Sequence, residues 1–200
     1  MGRSVCISEP SAPRRSGRAL YEIMKNVREI ERGELVWMQP HLTERSFELR
    51  SGEDILGTLT WNSSFGSLAD AWAADGHWTF KRTGFFAPRI TIRTHQSDTN
   101  VGVFVPNWKG EGVLELSDGK CFRWMGLGFW RSHWRFTKSS GEHLIDFEPH
   151  SSFLKKTAAV KVTPAGLELP LLSMLILLGW YLMILRSDDD SAAAAAAICS

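Results

Sequence analysis

From Glu34 to Val162 apolar and polar residues alternate with a period of two in short runs. That is the pattern of strands with one buried face. Asp54–Trp61 sets Ile55, Gly57, Leu59 and Trp61 on one face, with Thr58 and Thr60 opposite. Trp78 shares a face with Phe80, Ile90 with Ile92, Leu114 with Leu116, Phe122 with Trp124, Trp134 with Phe136, and Ile145 with Phe147. Runs at Leu35–Met38, Ser46–Arg50, Val101–Val105, Gly128–Arg131 and Thr157–Val162 bring the total to about twelve predicted strands. Asp118-Gly119, between two alternating runs, is the strongest hairpin signal. Ser67–Ala74 breaks the rhythm and reads as one or two helical turns.

The two ends follow other patterns. Leu20, Ile23, Val27 and Ile30 fall at helical spacing, which predicts an outer amphipathic helix over Tyr21–Arg32, stopped by Gly33. Near the C-terminus, Leu169–Leu185 carries no charge and lies between Glu168 and Arg186, which predicts a helix over 167–186. A helix apolar on every side needs apolar surroundings, either lipid or protein. As a membrane span it would cover about 25 Å of a hydrocarbon core of about 30 Å. Lys155, Lys156 and Lys161 before it and Asp188–Asp190 after it satisfy a positive-inside orientation.

The protein alternative rests on geometry. Twelve strands spaced by about 4.8 Å and tilted by about 40° close into a barrel about 24 Å across. Wall side chains reduce the bore to about 13 Å, and a helix with its side chains is about 10–12 Å wide. The strand count and the apolar helix therefore account for each other. The expected fold is mainly β, a closed antiparallel barrel of about twelve strands around a central apolar C-terminal helix, with one outer N-terminal helix. Leu171, Leu172, Leu175, Leu178, Trp180, Leu182 and Leu185 are the expected buried face of that helix. Residues 19–186 then form one domain, after a flexible leader over 1–18 and before a disordered polar tail over 187–200.

This order of elements resembles the tubby C-terminal-like superfamily, in its branch of LURP-one-related proteins and phospholipid scramblases. The residues that carry the resemblance are the run Asp54–Leu59, the Trp-x-Phe-x-Arg-x-Gly pattern of Trp78–Gly84, Ile90–Ile92 and the Leu-rich terminal helix. It covers about Glu34–Arg186. The resemblance implies a final helix threaded through the barrel, and functions ranging from phosphoinositide binding to lipid scrambling. The cysteine-rich lipidation run of scramblases is absent, and no segment matches their calcium site.

Composition narrows the chemistry. Lys and Arg total 23 against 22 acidic residues, a net charge of +1. Such a balance gathers no nucleic acid. Three scattered cysteines exclude a disulfide framework and a four-cysteine zinc site. The six histidines include no pair at i,i+2 or i,i+4, so no local ligand pair exists. No nucleophile elbow, phosphate loop or zincin motif occurs. Asp70 and Asp75 flank Trp72 and precede His77, an arrangement that suits turn and cap roles better than general-base chemistry. Cys121 reads as a packed thiol. Most of the nine Trp read as core, with Trp108, in the loop Pro106–Lys109, the exception.

One surface feature points to a ligand. Lys81, Arg82, Phe85, Phe86 and Arg89 form a hairpin tip with three cations around two aromatics. The aromatics suit a lipid interface and the cations suit its phosphates. The expectation is a non-catalytic barrel, cytoplasmic and peripheral at a membrane, whose partner is an anionic phospholipid or a protein. No cofactor and no metal are expected. The competing expectation is a single-pass membrane protein anchored by Leu169–Leu185.

Overall fold

The computed structural model describes residues 23–30, 33–63, 66–84, 86–95, 99–128, 133–150 and 156–198. Twelve strands form it: β1 (Leu35–Met38), β2 (Ser46–Ser51), β3 (Asp54–Trp61), β4 (Ala69–Ala73), β5 (Gly76–Thr83), β6 (Arg89–Thr94), β7 (Asn100–Pro106), β8 (Gly112–Leu116), β9 (Cys121–Leu127), β10 (His133–Lys138), β11 (His143–His150) and β12 (Thr157–Val162). Each pairs antiparallel with its sequence neighbours, and β1 pairs with β12 through Leu35↔Val160 to close the barrel. A closed barrel has no exposed sheet edge.

A short helix α1 (Pro164–Leu167) follows β12, capped by Thr163, whose side chain accepts from Gly166 N. The long helix α2 (Leu172–Ile198) then threads the bore. Leu172, Leu175, Leu178, Trp180, Leu182 and Leu185 are all buried, and Leu171 packs on the core from the turn just before the helix. The single-pass alternative is not what the structure shows. Among the described residues no helix is long and apolar enough to cross a membrane, and the apolar stretch is enclosed by strands.

The wall is lined to fit the helix. Alternate residues point inward, among them Trp78, Phe80, Ile90, Ile92, Leu114, Phe122, Trp124, Trp134 and Phe136. The helix runs closest to β3, β4 and β5. There the lining is small: Gly57, Ala69, Ala71 and Ala73. A Cβ on Gly57 would lie 3.4 Å from Leu177. Opposite, Trp124, Trp134, Phe136 and Phe147 fill the wider gap. Farther along the enclosed stretch of the helix, Trp180 stacks on Trp37 at 5.5 Å and Tyr181 on Trp61 at 5.4 Å. The Tyr181 hydroxyl donates to Ser67 O at 2.6 Å. Burial pushes that phenol well above its ordinary range, against smaller opposing effects from Arg82 and Ser67.

Several expectations are corrected. Ala69–Ala73 is a strand, not helical turns, because its inward alanines make room for α2. The expected strand Gly128–Arg131 lies mostly outside the described residues, and Gly128 itself is a turn residue after β9. A bulge after Leu49 shifts the phase of β3, so Leu56 is buried and Ile55 is only half-buried. Cys121 points outward and is half-exposed rather than packed in the core.

The outer N-terminal helix over Tyr21–Arg32 is absent from the part described. Residues 27–29 make one 3-10 turn after an extended Asn26. Lys25 N donates to Ile55 O at 3.1 Å, and the Asn26 side chain accepts from Arg28 N, so both groups serve non-helical backbone. Ile23 and Ile30 are not buried with Val27, as a helical stripe would require. At the other end, residues 187–198 continue α2 instead of fraying. Asp188 and Asp189 are tied to the barrel, and the following alanines are the best helix formers. The expected leader over 1–18 lies outside the described residues.

Candidate functional site

In an up-and-down barrel the connections leaving odd-numbered strands gather at one end. Here these include 39–45, 62–68, 84–88 and 107–111. The opposite end has tight links such as 52–53 and 74–75. Helix α2 points its C-terminal half out of the end with the longer loops, which makes that rim a composite of loops and helix.

The rim is both charged and apolar. Arg82 Nη1 donates to both carboxylate oxygens of Asp189, at 2.9 and 2.7 Å. Asp188 meets Arg45 and, at 3.3 Å, Lys156. Arg186 donates to Lys109 O and lies over the Trp134 ring at 5.1 Å. Between the hairpins 84–88 and 107–111 and the helix lies a cleft of about 190 Å³, lined by Arg82, Pro88, Trp108, Leu185, Arg186 and Asp189 among others. Two aromatics stand out from these hairpins: Phe86 is 96% exposed and Trp108 89%. Lys109 Nζ sits 5.2 Å from the Trp108 ring. Leu42, on the neighbouring loop, is exposed as well.

The hairpin-tip residues singled out in the sequence therefore divide. Lys81 and Arg89 are exposed on the outer wall and Phe86 projects into solvent. Arg82 faces inward at the rim and is already paired with Asp189, so it is not a spare phosphate ligand. Phe85 lies outside the described residues. Trp108 matches the loop position expected of it, whereas Trp61, Trp78, Trp124 and Trp134 are core.

A second group was only partly visible in the sequence, where Asp70, Trp72 and His77 stood out but His95 did not, and Asp70 lies within a strand rather than in the turn or cap expected of it. Trp72, His77 and His95 are cross-strand neighbours on the outer wall of β4, β5 and the end of β6. Their rings stack, Trp72 on His77 at 3.3 Å and His77 on His95 at 3.9 Å between centroids. Asp70 Oδ1 lies 3.6 Å from His77 Nε2 and 3.9 Å from His95 Nδ1. The closeness of the His77 ring, opposed by partial burial, holds the Asp70 carboxyl below its usual range. Asp75 plays no part here; it occupies a tight turn 3.8 Å from Arg28. Only the pairing of β5 with β4 on one side and β6 on the other could bring His95 to this group, and β4 was not predicted.

These features define the molecule as a closed antiparallel barrel plugged by its own C-terminal helix, with an aromatic and charged rim at one end. Compared with family models, curated proteins and solved structures, the chain matches none.

Proposed function

We propose that the protein is a non-catalytic, tubby-like barrel that docks its loop end on an anionic phospholipid surface. One observation carries this: two almost fully exposed aromatics, Phe86 and Trp108, project from hairpins that border one cleft, with Lys81, Arg89 and Lys109 around them. Large exposed aromatics are costly in water and favourable at the headgroup boundary, where cations meet phosphate. The likeness to tubby-like barrels rests on the strand pattern and the threaded helix, and supports the class rather than any particular lipid.

Co-sedimentation of the full chain with phosphatidylcholine vesicles, with and without phosphatidylserine, tests the proposal. Binding is expected only with phosphatidylserine, and falls as salt is raised. Burying each aromatic is worth about 1.5–3 kcal/mol, so Phe86→Ala with Trp108→Ala weakens binding by about tenfold or more per residue. Lys81→Gln with Arg89→Gln weakens it and flattens the salt dependence. Failure to bind anionic vesicles, or equal binding by the aromatic double variant, would refute the proposal.

A further inference from the structure

The geometry points to a second site, independent of the rim: we propose that Asp70, His77 and His95 bind a borderline divalent metal ion, zinc foremost, on the outer wall of the barrel. His77 is the reason to look there. Its side chain is only 5% exposed, yet neither ring nitrogen has a hydrogen-bond partner. At 3.6 Å the approach to Asp70 is longer than a hydrogen bond. An imidazole buried with both nitrogens unsatisfied is costly. A metal ion on Nε2 would remove one of those deficits.

The donor set suits such an ion. Two imidazoles and one carboxylate are the ligands of zinc and related metals, and three protein ligands leave a coordination position for water. The three donor atoms lie within 4.8 Å of one another. Ligands around tetrahedral zinc stand about 3.3 Å apart, given metal–ligand bonds of about 2 Å. Closing that gap, and aiming both ring nitrogens at one ion, requires one imidazole to rotate out of the face-to-face stack. His95 can make that turn, because its side chain is 54% exposed at the end of β6, whereas His77 is pinned under Trp72. Trp72 and the strand pairing thus hold His77 and Asp70, and the exposed His95 is the ligand with room to turn.

The test is titration of the full chain, first stripped of metal with a chelator, using zinc and cobalt(II) chlorides. The expected result is one equivalent bound at micromolar concentration, a visible cobalt absorption of tetrahedral nitrogen–oxygen type, and a rise in thermal midpoint with zinc. His95→Ala is exposed and should leave the metal-free midpoint unchanged while abolishing saturable binding. His143→Ala, on another part of the wall beside Arg135, should leave binding intact. No saturable uptake, or uptake that survives His95→Ala, would overturn the proposal.

Discussion

Gly179 shows how tightly single residues are set. It lies in the middle of α2, where glycine costs about 1 kcal/mol relative to alanine in helix propensity. Propensity alone therefore predicts that Gly179→Ala stabilises the protein. A Cβ at this position, however, would run into the ring of Phe147, which is fully buried against Trp124 and Phe136. Overpacking of that kind costs about 1–3 kcal/mol, so the clash wins. Urea denaturation should show Gly179→Ala less stable than the parent, and Phe147→Leu should recover part of the loss when combined with it. A more stable Gly179→Ala variant would mean that the helix is not held against β11. The glycine was legible in the sequence only as an interruption of a leucine run, because its role depends on a residue 32 positions away.

At the scale of elements, alternation identified the strands whose inward residues are large. Trp78 with Phe80 and Trp134 with Phe136 advertise their faces. Strand β4 escaped because its inward residues are alanines, which have weak β-propensity, while the large apolar Trp72 sits on its outward face. The N-terminal spacing imitated a helical stripe, but the backbone of Lys25 pairs with β3 instead. The three adjacent acids after Arg186 looked like solvated tail, yet they extend α2, and two of them, Asp188 and Asp189, clamp it to the rim. Exposed pairs are worth about 0–1 kcal/mol each, so Asp188→Asn with Asp189→Asn should barely lower the thermal midpoint. The same change releases Arg82 and Lys156 from their acids, and should strengthen binding to phosphatidylserine vesicles. Unchanged or weaker binding would show that the rim cations do not face lipid.

For the whole molecule, the sequence disclosed the architecture through one quantitative coincidence: the bore of twelve strands matches the width of one helix. The candidate sites were less visible. The exposed hairpin aromatics could be picked out, Phe86 at a hairpin tip and Trp108 in a loop without an alternating partner. Of the Asp70, His77 and His95 group only Asp70 and His77 stood out, because His95 joins them only once three strands are in register. All of this depends on α2 being enclosed by the chain itself. Hydrogen exchange on the full chain, in buffer free of lipid and detergent, tests that most directly. The amides of 172–185 should be among the slowest in the molecule, exchanging only with global unfolding, together with the central strands. Rapid exchange across 172–185 while the strands stay protected would contradict it.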